Sequence, residues 1–315
     1  MIWAGRWKPV CRCATPSGRE KSRDPPCTSR GPFLQHAPYP GTELFRWGIS
    51  GPADARAKVR KLAQAGVDCI KLIDQDQMTV EEVQAIVDEA HQHRLTVVAH
   101  AHRPDEIRRG LQAGVDIFEH TGLATAPEYP ADIMIRSRTA RSNIGPLFWT
   151  PTIEGLFNYE YIRRQPREAR RPLLARRPAR IDHQRPPRVH PASRALAYFQ
   201  MTPSRRPTLA RKFQQLRESG VILLIGADSG IPMKFHSHST WNELDIWVSK
   251  LAVGPMDAIR AATYWPAVAM KVDKNYGAIG EGKYADIIAV CGDVLRYINL
   301  RQNVNIVIKH GRRYR

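Results

Sequence analysis

Residues 67–120 read VDCIKLIDQDQMTVEEVQAIVDEAHQHRLTVVAHAHRPDEIRRGLQAGVDIFEH, and this stretch decides the fold. It opens with an apolar run, VDCIKLI, of strand length. Thr79 and Glu82 then stand at capping-box spacing, and Val80, Val83, Ile86, Val87 and Ala90 recur every three or four residues, the period of a helix with one buried face. LTVVAHA returns to strand character. Pro104 opens a short helix, DEIRRGLQA, that Gly114 closes before the next strand, VDIFEH. Parallel strands need crossover connections of a dozen or more residues, so repeated strand–helix units in this space predict a parallel α/β sheet, barrel or doubly wound.

The pattern extends in both directions. Upstream, Ala53 to Gly66 is an amphipathic helix with a glycine stop. Downstream, residues 131–143 read as a helix and 147–156, LFWTPTIEGL, as a strand. Thr208 to Ser219 is a further helix, and VILLIGADSG (221–230) is a strand apolar enough to be buried on both faces. Residues 239–252 and 256–270 read as one helix each. The tail, ADIIAV then NVNIVIKHG, predicts short strands beside the main domain. The expected organisation is a non-matching, poorly ordered segment over 1–52, a partial barrel over 53–290 interrupted at 163–194, and a β element over 291–315.

Charge is uneven. The chain of 315 residues carries a formal net charge of +18, with 43% apolar and 25% charged residues. Residues 1–32 contribute +5 and the Arg/Pro-rich tract 163–194 contributes +9, which leaves an ordinary surface elsewhere. Neither tract has an amphipathic period, and 163–194 has no interleaved aromatic residues to stack bases, so the reading is of solvated segments and no nucleic-acid partner. No apolar run approaches the roughly 18 residues of a membrane span, and no leader-like stretch opens the chain; a cytoplasmic protein is expected. Five scattered cysteines fit reduced thiols.

Chemistry-bearing side chains sit at strand ends: Lys71 in VDCIKLI, His100 and His102 in TVVAHAH, His120 in VDIFEH, and Asp228 in VILLIGADSG. In a parallel barrel the C-terminal strand ends form the active-site face. Alternation puts Thr96, Val98 and His100 on one face of their strand and Phe118 and His120 on one face of the next, so the two histidines can converge. Taken singly, a strand-end histidine is more often a hydrogen-bonded structural residue, and an aspartate before Ser-Gly can simply cap a turn. A lysine within a strand apolar on both faces is harder to place, because desolvating it costs several kcal/mol unless it is paired or modified. Together the set points to a divalent metal.

IKLI, the MTVEEVQAIVDEAH helix, VVAHAH, AGVDIFEHTGL, GADSG, AIRAATYWPA and EGKYADIIAV resemble the amidohydrolase superfamily, most closely its imidazolonepropionase-like and prolidase-like members. The resemblance covers roughly 53–162 and 195–315. It implies a (β/α)8 barrel, here expected as strands 4 to 8, with zinc or a similar ion held by Lys71 (carbamylated), His100, His120 and Asp228. Asp228 would be the catalytic base and acid, and His102 and Tyr159 would face a small-molecule substrate whose C–N bond is hydrolysed. The family's first-strand His-x-His finds no counterpart in the matched region, and the residue before Asp228 is Ala227 where the family has Thr. The alternative implied is a relative that keeps the fold without turnover.

Overall fold

The computed structural model describes residues 31–122, 125–157, 159, 200–229, 234, 239–296, 298 and 304–315. Residues 1–30 and the Arg/Pro tract 163–194 lie outside the described residues, so the readings made for them have no structural counterpart here.

A seven-stranded sheet organises the chain, in the order β2-β1-β3-β4-β5-β8-β9. Its strands are β1 (Phe33–Gln35), β2 (Arg46–Gly48), β3 (Cys69–Leu72), β4 (Thr96–His100), β5 (Ile117–Glu119), β8 (Phe148–Thr150) and β9 (Ile222–Leu223). A short hairpin, β6 (Arg141–Ser142) and β7 (Gly145–Pro146), precedes β8. All pairings in the large sheet are parallel. The helices α1 (Pro52–Gln64), α2 (Val80–Gln92), α3 (Pro104–Ala113) and α4 (Ala131–Thr139) make the crossovers. After β8 come α5 (Leu209–Glu218), α6 (Ser239–Leu251), α7 (Pro255–Ala262) and α8 (Tyr264–Ala269). This is the α/β architecture of the partial barrel, and β2 and β9 are not paired to each other, so the barrel is not closed.

The local rules read from the sequence operate as expected. Thr79 and Glu82 form a reciprocal capping box: the Glu82 amide donates to Thr79 Oγ1 at 3.2 Å, and the Thr79 amide donates to Glu82 Oε2 at 2.8 Å. α2 buries Val83, Ile86, Val87 and Ala90 against α1 and the sheet. Gly114 ends α3 at φ 81°, a conformation costly for residues with a Cβ. Alternation then sorts each strand. Ile70, Leu72, Val97, Ala99, Phe118 and Trp149 face the helices, whereas Val98, Ile117, Phe148 and Leu224 face the interior. Fully burying each Val, Leu, Ile or Phe side chain among these contributes about 1.5–3 kcal/mol.

Three details differ from the sequence reading. Residues 33–48, expected to lie in a poorly ordered segment, carry β1 and β2; Leu34 is fully buried and pairs with Leu72. Strands of three residues are too short to show a period of two. VILLIGADSG forms ladder bonds over Ile222–Leu223 and continues as irregular chain to Asp228. The expected single helix over 256–270 breaks at Thr263, at φ −131° and ψ −71°; Pro266 has no N–H with which to continue the helical bonding. The tail forms an antiparallel three-stranded sheet of β10 (Ile287–Val290), β11 (Val304–Lys309) and β12 (Arg312–Arg313). Among the described residues no helix is long and apolar enough to cross a membrane.

Candidate metal centre and adjoining cavity

The C-terminal ends of the central strands share a backbone feature. Asp74, His120, Thr152 and Asp228, which follow β3, β5, β8 and β9, all have positive φ, between 50° and 81°. Non-glycine residues adopt this left-handed region uncommonly, and such residues cluster at functional sites. At His120 the consequence is direct. Register pairs His100 with Glu119, so Glu119 occupies the interior face, while Phe118 packs outward against Trp149 at 4.9 Å. The expected reason for convergence, Phe118 and His120 on the face of His100, is therefore replaced: the left-handed turn at His120 brings its imidazole to the other histidines.

His100, His102 and His120 form one cluster. Their ring centroids lie 4.5 to 4.7 Å apart. One nitrogen of each ring lies within 4.8 Å of the others, close enough to hold a metal ion. The loop that carries His102 is pinned at several points. Gln75 Nε2 donates to the His100 carbonyl at 2.7 Å and to the Glu106 carbonyl at 3.0 Å. The His102 and Arg103 amides donate to Glu106 Oε2 at 2.7 and 2.8 Å. The Arg103 guanidinium also reaches Asp74, Asp76 and Glu106. On the other side, the His120 amide donates to the Thr150 carbonyl at 2.8 Å, and Trp149 Nε1 donates to the His120 carbonyl at 2.6 Å. His120 Nδ1 lies 2.8 Å from Thr152 Oγ1. Gly122, at φ 86°, passes so near that a Cβ would sit 3.0 Å from the His102 carbonyl.

Burial pushes the His102 imidazole down to about 3, and the positive charge of Lys71 acts in the same direction. Burial also holds His120 well below the ordinary histidine value. Both rings are therefore neutral near pH 7, the state in which imidazole offers a lone pair to a metal.

Lys71 is 1% exposed, and its ammonium is paired with the Glu119 carboxylate. Lys71, Glu119, Thr150, Thr152 and Asp228 line a cavity of about 680 Å³ with apolar walls that include Val98, Ile117 and Leu224. Of the residues singled out by sequence, His100, His102 and His120 come together, and Lys71 and Asp228 share the adjoining cavity. Tyr159 is buried at 3% exposure and does not line that cavity. Sequence reasoning passed over Glu119, Thr152 and Gln75. For Glu119 a signal existed, since a second charged residue stands one step before His120 in an apolar strand.

The amidohydrolase family profile matches residues 53–313. The chain belongs to the amidohydrolase family. Among solved structures, this amidohydrolase is similar to a prolidase-like protein from Bifidobacterium longum, at 25% identity and TM-score 0.67, over 90% of this chain and 64% of that one. It is also similar to a Xaa-Pro dipeptidase with methionine bound in its active site, at 25% identity and TM-score 0.65, over 91% of this chain and 67% of that one. The ochratoxinase of A. niger, at 20% identity and TM-score 0.62, covers 90% of this chain and 59% of its own and shares the fold. The amidohydrolase described here thus spans about two thirds of the length of its prolidase-like neighbours. Comparison with curated protein sequences returned no match.

Proposed function

We propose that this amidohydrolase is a metal-dependent hydrolase of C–N bonds in small amides or dipeptides. The observation that carries the reading is the cluster of three imidazoles at the strand ends, beside a cavity that Asp228 lines. Family membership and the prolidase-like neighbours support the reaction class. The donor set fits a divalent ion such as zinc, which takes imidazole nitrogens readily, and His100, His102 and His120 are the residues that would hold it. When bound, the ion supplies Lewis-acid activation of water and of the scissile carbonyl.

The chain's own residues do the rest. The apolar side chains of Val98, Ile117 and Leu224 in the cavity wall lower the local dielectric, which strengthens the charge interactions of Asp228. The Asp228 carboxylate takes a proton from the attacking water as the C–O bond forms, and delivers it to the leaving nitrogen as the C–N bond breaks. One observation favours a second reading, an ion-binding relative without turnover: Lys71 is engaged by Glu119, not presented as a free amine.

The test is amino-acid release from a panel of Xaa-Pro dipeptides and N-acyl amino acids by the zinc-loaded chain. Turnover that falls by about three orders of magnitude in Asp228→Asn, the scale of a lost acid–base group, supports hydrolysis. Absence of product from every amide, with zinc bound, favours the second reading.

A further inference from the structure

We infer that the barrel interior at the N-terminal ends of the strands is a second binding site, which takes the alkyl chain of a medium-chain carboxylate. The head group is held at the mouth by Arg94 and Lys271. The site stands apart from the histidines and does not depend on the hydrolase reading.

The cavity of about 680 Å³ runs the height of the sheet. Thr152 and Asp228 line it after β8 and β9, and at the opposite end Asp68 and Arg94 line it ahead of β3 and β4. In a complete (β/α)8 barrel this axis is a packed core, because layers of inward side chains from all the strands fill it. Here β2 and β9 do not pair, and the interior side chains of Val98, Ile117 and Leu224 border open space. Arg94 and His100 stand six residues apart on one extended segment, so at about 3.3 Å per residue the interior is about 20 Å deep. The volume falls within the range of small-molecule sites, about 300–1,000 Å³. Spread over that depth it forms a narrow channel, which suits an unbranched chain.

The two ends differ in charge. At the C-terminal strand ends stand the carboxylates of Asp228 and Glu119, the latter paired with Lys71. The other mouth is basic. Lys271 Nζ donates to the Arg94 carbonyl at 3.0 Å, which ties the residues after α8 to the turn before β4. Both residues turn at φ 59°. Arg94 and Lys271 are exposed, and among the described residues neither side chain is in an ion pair. The same rim carries one opposing carboxylate among the lining residues, Asp68. Between the ends the wall is largely apolar, with Leu95, Val98, Ile117, Leu224, Ala269 and Val272. An apolar wall with charge at the rim matches a ligand with an alkyl tail and an anionic head. Repulsion from Asp228 sets its direction, tail towards the C-terminal strand ends and head between Arg94 and Lys271.

The experiment is calorimetric titration of the zinc-loaded full chain with hexanoate, octanoate and decanoate below micelle-forming concentrations, with octanol as the uncharged comparison. Affinity is expected to rise about fourfold for each methylene added, the factor for burying one CH2 in an apolar site. Octanoate is expected to bind about fivefold more tightly than octanol, the scale of exposed ion pairs. The double variant Arg94→Glu/Lys271→Glu is expected to weaken octanoate by at least about tenfold and octanol by less than about twofold. Ala269→Leu, which places a larger side chain in the channel wall, is expected to weaken both. Thermal melting checks that each variant folds, and the charge reversal lies on exposed residues, so it carries the test alone if Ala269→Leu does not fold. Removal of zinc is expected to change octanoate affinity by less than about twofold, which separates this site from the metal centre. Affinity independent of chain length, octanol binding as tightly as octanoate, undiminished octanoate binding by the charge-reversed variant, binding that requires zinc, or no binding of any chain would overturn the inference. Hydrolysis plays no part in the readout, so a chain that binds octanoate in this way yet cleaves no amide separates this inference from the proposed activity.

Discussion

The imidazoles of His102 and His120 stack, with ring centroids 4.5 Å apart and planes 10° from parallel, although the two residues leave neighbouring strands. The stack exists because each ring is held from its own side, His102 by a loop anchored on Glu106 and His120 by Thr152. Replacing Thr152 by valine keeps the volume and removes the hydroxyl. The outer-partner effect on metal sites predicts zinc affinity lower by about 10- to 100-fold with little change in melting temperature. Calorimetric zinc titration checks it; unchanged affinity would show that the hydroxyl does not orient His120.

Close packing between α3 and the sheet gives a second prediction. A Cβ on Gly110 would stand 2.6 Å from the Phe118 ring, which is itself packed on Trp149. In an exposed helix Gly→Ala stabilises by about 1 kcal/mol. Here the overpacking term wins, and Gly110→Ala is expected to destabilise by about 1–3 kcal/mol in urea denaturation. A stabilised variant would contradict the packing described.

Glu243 predicts a pH dependence. It is fully buried, accepts from the amides of Ile153 and Glu154 and from Trp247 Nε1, and burial pushes its carboxyl up to about 7. A carboxyl raised in the folded state contributes stability that is fully present below its unfolded value near 4.5 and is lost as pH rises through about 7. The loss across that window is on the order of 3 kcal/mol. Glu243→Gln is expected to be less stable overall, since its amide would face the Glu154 N–H, and to show a flatter pH profile between those values. Parallel profiles for the two proteins would refute the assignment.

Much of this arrangement is legible in the sequence. The capping box at Thr79 and Glu82, the Gly114 stop and the period-two strands are local signals, and local signals fix the crossover helices and the parallel sheet. The strand-end positions of His100 and His120 follow from that sheet. His102 was visible as a candidate, but its place in the cluster depends on tertiary bonds to Glu106 that no spacing reveals. The positive φ at His120 is hidden for a related reason: only a small minority of histidines adopt the left-handed region, and the turn is held by Trp149 and Thr150 on the neighbouring strand. The Lys71–Glu119 pair joins residues 48 apart, and only the register of β3, β4 and β5 brings them together.

The account turns on one ion at the strand ends carrying amide hydrolysis, since three imidazoles supply the ligands for about one catalytic zinc. The direct measurement is the rate of dipeptide hydrolysis by the metal-depleted chain as zinc is added in known equivalents. The rate is expected to start near zero, rise in proportion to zinc, and level off at about one equivalent per chain. Full activity before any zinc is added, or none at any equivalent, would contradict it.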